Sequence, residues 1–293
     1  MLLRLGIAGS ATASLSRLSE HSERSFRATG SIGRIECGEF GCRASPGLPW
    51  SSSMKRRLIL LLPFALMLVW ATQAPQERVE AVEIGQHNTD LLPTGKEADG
   101  IVGDFVLRNG VIHALISGAQ PLRRANMTTE YGHVLQGVLY DLDLRGAAND
   151  QITAFRPAGE LGEMSWVRVV EDPGGAGVIE AVRTAPKGGG LYTRHEYRLE
   201  KGWQHLLITT TFRNESGAPK KVAPAPVWKG LSTEWTAGEI KVGDSIDPFD
   251  KRGYASGPAA GGEIPEGEVE LRPGEEKTYR VVIAPGNSPL DAW

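Results

Sequence analysis

The sequence predicts an all-β protein, a large antiparallel two-sheet sandwich, and three observations carry that expectation. From Val79 onward apolar and polar residues alternate with period two. Gly, Pro or Asn-Gly interrupts the alternation at roughly ten-residue intervals, the spacing of short strands joined by turns. Beyond the leader described below, no stretch keeps the 3.6-residue period of a helix. Roughly thirteen strands without crossover helices cannot build a parallel sheet, because parallel neighbours need long connections.

The first 53 of the 293 residues stand apart, with eleven Ser, six Arg, no Lys and no periodicity, and are expected to be a disordered extension. They hold both cysteines, Cys37 and Cys42; a single Cys-x4-Cys pair falls short of the roughly four ligands of structural zinc, so no metal is expected. At Met54 the character changes. Lys55, Arg56 and Arg57 precede the uncharged run Leu58 to Ala71, and small residues follow at Ala71 and Ala74. That is the pattern of a secretory leader over residues 54–74. The alternative, a membrane anchor through residues 58–71, is short of the ~20 apolar residues a spanning helix needs and is interrupted by Pro63. Because a leader is recognised near an amino terminus, Met54 is expected to be the true start, with residues 1–53 untranslated. An organellar transit peptide would not carry Glu20, Glu23, Glu36 and Glu39.

Residues 75–293 are expected to form one domain. Removing residues 1–74, which hold nine of the 32 basic and four of the 35 acidic side chains, leaves 219 residues with a formal charge of −8 and no cysteine. Such a domain must rely on core size rather than disulfides. Its acidic balance, without a basic cluster, excludes nucleic acid as a partner and leaves a membrane only through an uncleaved leader.

Two hairpins stand out. In 104–116, two apolar strands flank Asn109-Gly110, the pair that a type I′ turn favours. In 191–212, strands flank Glu200-Lys201-Gly202, with Leu206, Ile208, Thr210 and Phe212 on one face. Further strands are expected at 79–84, 134–144, 152–155, 166–170, 178–183, 222–225, 239–242, 269–271 and 278–283. The stretch 228–268, rich in Gly, Pro, Asp and Ser, reads as long loops, where function tends to reside.

No local signature of a zinc hydrolase, serine hydrolase or P-loop protein occurs, and no cofactor is implied. His195 and Glu196 are adjacent on a strand and so point to opposite faces; His195 is expected to be a half-exposed strand histidine, with His205 as a possible cross-strand neighbour. Asp141 and Asp143 share a face and are expected on an outward, solvated surface, two acids being too few for a cation site. Asn126-Met127-Thr128 and Asn214-Glu215-Ser216 match the glycosylation triplet. The candidate ligand-binding residues are aromatic: Tyr131 and His133 in one segment, and Trp228, Trp235 and Tyr254 in the irregular stretch. Exposed Trp and Tyr on a sandwich stack on sugar rings. Glu234, beside Trp235, is the acid to suspect in catalysis.

The run Tyr192-Thr193-Arg194-His195-Glu196-Tyr197-Arg198-Leu199, with its partner Leu206 to Asn214, resembles the paired strands of galactose-mutarotase-like supersandwiches. Leu271 to Tyr279, with its Pro-Gly-Glu turn, resembles their closing strand. Gly100 to Asn109 and the following hairpin resemble the amino-terminal sandwich that precedes a metal-dependent hydrolase of the polymerase and histidinol phosphatase superfamily in secreted bacterial proteins. That superfamily's metal-binding histidine pairs have no counterpart here, and the chain stops at Trp293 where the hydrolase would follow. A mutarotase resemblance implies a His acid and a Glu base at one sugar pocket, and neither role aligns to a residue of this sequence. The expected function is an exported binding or accessory module for carbohydrate or a partner protein; the alternative is a sugar-active enzyme with a His/Glu pair. N-terminal sequencing of the native protein is expected to begin at Thr72 or Pro75, and a start upstream of Met54 contradicts the leader.

Overall fold

A computed structural model describes residues 78–95, 98–121, 136–148, 150–159, 162–245 and 252–292, apart from the side chains of Ser232, Thr233, Glu234, Ser245 and Leu290. The extension, the leader and both cysteines lie outside the described residues. The chain forms β1 (Glu80–Glu83), β2 (Phe105–Arg108), β3 (Ile112–Ile116), β4 (Leu139–Leu144), β5 (Ala154–Arg156), β6 (Trp166–Val170), β7 (Gly177–Arg183) and β8 (Leu191–Leu199). It continues with β9 (Leu206–Asn214), β10 (Lys220–Val222), β11 (Val227–Lys229), β12 (Leu231–Ala237), β13 (Ile240–Ser245), β14 (Gly253–Pro258), β15 (Val269–Leu271) and β16 (Glu276–Gly286), and a short helix α1 (Pro289–Ala292).

Six strands form one sheet in the order β1-β2-β3-β4-β5-β11, and eight form the other in the order β12-β13-β14-β16-β9-β8-β7-β6; β10 and β15 make a small third ladder. Every pairing is antiparallel. The two large sheets share one core. Phe105, Leu107, Ala114, Ile116, Leu142 and Phe155 from the first sheet meet Ile179, Tyr197, Leu206, Ile208, Val281 and Ile283 from the second. The alternation read in the β8–β9 hairpin holds: Leu206, Ile208, Thr210 and Phe212 are buried. On the opposite face of β7 and β8, Glu180 accepts from Arg168 at 3.1 Å and from Arg194 at 3.5 Å, pairs whose arginines are wet enough to contribute little to stability.

The turn at Asn109-Gly110 differs from expectation. Neither residue has positive φ, so the type I′ turn is replaced by a longer loop in which Arg108 pairs with His113. The Asn109 side chain organises it: Oδ1 accepts from the backbone N–H of Val111 at 2.8 Å and of Ile112 at 2.9 Å. Its Nδ2 donates across to the carbonyls of Glu200 at 2.9 Å and Trp203 at 2.8 Å, in the β8–β9 turn. Asparagine is favoured here as a four-bond side-chain hub joining the two sheets rather than for its tolerance of left-handed backbone.

The stretch 228–268 is likewise more ordered than its composition suggests, because it contains most of β11 and all of β12, β13 and β14. Ala237 pairs with Ile240, leaving a two-residue turn whose first central residue, Gly238, has φ +64°, as a type II′ turn requires. Between β11 and β12 lies a single residue. Gly230, at φ +91°, carries the chain out of one sheet and into the other. A Cβ there would stand 2.6 Å from the Thr153 amide nitrogen and 2.9 Å from the Gln151 carbonyl oxygen. The Thr153 amide is fixed in turn by donating to the Lys229 carbonyl at 3.0 Å. Gly230→Ala combines a left-handed backbone with a backbone clash and is expected to cost about 2–4 kcal/mol, read by urea unfolding; Gly146→Ala, at a positive φ with open space around it, is expected to cost less.

Candidate functional site

The corner at Gly230 holds β11, at the rim of the first sheet, beside the β12–β14 end of the second, and a cleft of about 600 Å³ opens between them. That volume lies within the ~300–1,000 Å³ of typical ligand sites. Its floor is the cross-strand pair Phe155 and Trp228, packed edge to face with ring centroids 6.2 Å apart. One wall comes from the register Thr236–Lys241–Ser256, which places those three positions on the same sheet face as the core residue Ile283. The other wall is the loop after β14, where Ile264 and Pro265 lie between Glu263 and Glu266. Ser256 is only 4% exposed, and among the described residues its hydroxyl has no hydrogen-bond partner.

The expected aromatic residues separate. Trp228 is mostly buried, at 7% exposure, and is part of the core as well as of the cleft floor. Tyr254 is fully buried rather than an exposed platform: its hydroxyl donates to Asp150 Oδ1 at 3.2 Å and accepts from the Gln151 amide at 3.0 Å. Trp235 is 38% exposed, but the register Trp235–Val242–Ala255 puts it on the face opposite Thr236 and so away from the cleft. Glu234 pairs through its backbone with Gly243; its side chain lies outside the described atoms. Tyr131 and His133 lie outside the described residues, as does Asn126. Asn214, of the second glycosylation triplet, is fully buried, its Nδ2 donating to the carbonyls of Ala218 and Leu271.

His195 is buried rather than half-exposed, because its strand face packs between the sheets. Its cross-strand neighbour is Thr210, not His205. Nδ1 lies 3.0 Å from Thr210 Oγ1, and burial, with the nearby Arg183, lowers the imidazole to about 3, keeping it neutral. His205 stacks instead on Trp203, with ring centroids 4.7 Å apart. Among the described residues no histidine is hydrogen-bonded to a carboxylate.

Asp141 and Asp143 also depart from expectation. They are buried, not solvated, because the outer face of the first sheet is covered by a second apolar layer. Ile84, Leu91 and Leu92 pack there on Val106, Leu115 and Tyr140. Asp143 faces Arg252 at 3.5 Å. Asp150 Oδ1 accepts from the amides of Leu142 and Ile152, each at 3.2 Å. Among the described residues neither carboxyl oxygen of Asp141 has a hydrogen-bond partner. Burial, and then the charges of Asp143 and Asp99, push Asp141 well above the usual carboxylate range. Among the described residues no three acids, histidines or cysteines converge as metal donors.

The residues that build the cleft walls, Lys241, Ser256, Glu263 and Glu266, carry no motif in the sequence. Only the strand register and the loop path bring them together.

No family model matches the chain, and no curated protein matches it. Among solved structures, a TPR-domain containing protein from Parabacteroides distasonis ATCC 8503 is similar over 74% of this chain and 54% of its own, at 10% identity and a TM-score of 0.41. The GH36 alpha-galactosidase AgaA from Geobacillus stearothermophilus is similar over 63% of this chain and 41% of its own, at 12% identity and a TM-score of 0.35. Its counterpart AgaB is similar over 63% and 40%, at 12% identity and a TM-score of 0.36. The chain spans about half or less of the length of these structures.

The buried acid makes stability depend on pH. An unfolded Asp141 releases its proton near its ordinary value of 3.8, while the folded one holds it to higher pH. Its stabilising contribution is therefore complete below that value and is lost as pH rises through the folded value. Asp141→Asn is expected to gain stability relative to the wild type as pH rises from about 4 to 7, read by chemical unfolding at several pH values. A difference that does not change with pH contradicts this assignment.

Proposed function

We propose that the chain is an exported β-sandwich module that binds a saccharide in the cleft between Trp228 and Ser256. One observation carries this reading: a buried hydroxyl without a protein partner, Ser256 Oγ, lines a roomy cleft whose floor is aromatic. A buried polar group left unpaired costs free energy unless a ligand satisfies it. A saccharide suits both chemistries of the cleft. Its C–H faces lie against Trp228, Pro226 and Pro258, while its hydroxyls meet Ser256, Thr236 and the charged rim. The resemblance of residues 191–214 to mutarotase-like strands supports the same ligand class, and the leader over 54–74 supports export.

Ser256→Ala separates binding from folding. Removing an unpartnered buried hydroxyl is expected to leave stability unchanged or raise it by up to about 1 kcal/mol. The same change is expected to weaken saccharide binding by about 1–2 kcal/mol, or roughly five- to thirtyfold, in titration calorimetry. Trp235→Ala is expected to leave binding unaltered. Failure of the wild-type protein to bind any glycan in a broad panel overturns the saccharide reading in favour of a protein partner.

A further inference from the structure

The rim of the cleft is unevenly charged. Glu239, Glu263 and Glu266 line it against a single cation, Lys241, and among the described residues none of the four is engaged in a salt bridge or side-chain hydrogen bond. The carboxylates come from two separate elements, the β12–β13 turn and the loop after β14, so their shared opening is a product of the fold rather than of one acidic run. Charge alone would attract any cation. The second observation is the unpartnered, nine-tenths buried Ser256 hydroxyl in the same cleft, which asks for a neutral hydrogen-bonding group, while Trp228, backed by the buried Phe155, offers an apolar floor to a ring face.

Resting on the saccharide reading above, we infer that the ligand is a cationic amino sugar, a short chain of glucosamine-type residues with free amines. The ammonium groups meet the three carboxylates, a hydroxyl pairs with Ser256 Oγ, and a ring face covers Trp228. Electrostatic complementarity of this kind sets specificity more than bulk affinity. The lining repels uronates and sulfated glycans by the same charge, and a cleft closed by two walls suits a few sugar rings better than an extended peptide.

The test uses the full chain at low salt and about pH 5.5, where sugar amines are charged and exposed carboxylates ionised. Calorimetry compares a glucosamine tetramer, its fully N-acetylated counterpart, a galacturonate tetramer and an oligolysine of equal charge. The glucosamine tetramer is expected to bind about tenfold more tightly than the N-acetylated one, with the difference shrinking in salt. The double substitution Glu263→Gln with Glu266→Gln is expected to erase the difference, so that the variant binds the glucosamine tetramer no more tightly than it binds the N-acetylated one. Equal binding of the charged and acetylated tetramers overturns the amino-sugar inference and leaves the saccharide reading standing. Preference for galacturonate, or oligolysine binding as well as the glucosamine tetramer, also overturns it. Binding of none of the sugars removes the saccharide reading itself.

Discussion

At Gly230 the chain passes from one sheet to the other with no connecting loop, and the geometry at this end of the sandwich depends on that corner. A single residue carries the chain across against the backbone of Gln151 and Thr153, which leaves no room for a side chain. Because β11 and β12 are covalently joined there, Trp228 is held beside the wall that carries Thr236, Lys241 and Ser256. A looser connection would let the two rims separate or close. The cleft follows from the strand crossing, and its residues are those the crossing happens to bring near.

Elsewhere, separate elements are tied together by buried amides with every hydrogen-bonding position filled. Asn109 accepts two backbone N–H groups within its own loop and donates to two carbonyls of the β8–β9 turn. At the other end of β9, Asn214 ties that strand to the small β10–β15 ladder and its flanking loop, accepting from Ser216 and donating to Ala218 and Leu271. A fully satisfied buried amide specifies one arrangement, since any shift strands a polar group in the core. Against that background the unsatisfied groups are conspicuous. Asp141 sits beneath an apolar layer and holds its proton to higher pH than a solvated carboxyl, because burial penalises the charged form. Ser256 cannot neutralise itself in this way, and it lies in the lining of the cleft.

The aromatic residues of this stretch show why residue type alone does not locate a binding surface. Trp228, Trp235 and Tyr254 lie within 27 residues of one another in the sequence and occupy three different environments. Tyr254 is committed to Asp150 and Gln151 inside the core. Trp228 belongs to both core and cleft. Trp235 occupies the other side of its sheet.

Alternation determined a good deal by itself. The β8–β9 hairpin, with its inward Leu206, Ile208, Thr210 and Phe212, and the all-β class were legible because a half-buried strand imposes period two on the residues it can hold. That rule failed where burial is two-sided or where polar positions are covered. Asp141 and Asp143 looked solvated until Leu91 and Leu92 were laid over their face, and β12 and β14, on either side of the expected strand at 239–242, looked like loops because Gly, Ser and Thr fill their positions. Asn109 advertised a turn but not its cross-sheet bonds, since a hydrogen-bond partner some 90 residues away leaves no local trace. The candidate site was illegible for the same reason. Ser256 shares a face with Lys241 through strand register, and Glu263 joins Glu239 in the lining of one cleft only through the path of the loop after β14. The period of a strand is a local consequence of backbone geometry, whereas the company a side chain keeps is set by which distant strands the tertiary fold places beside it.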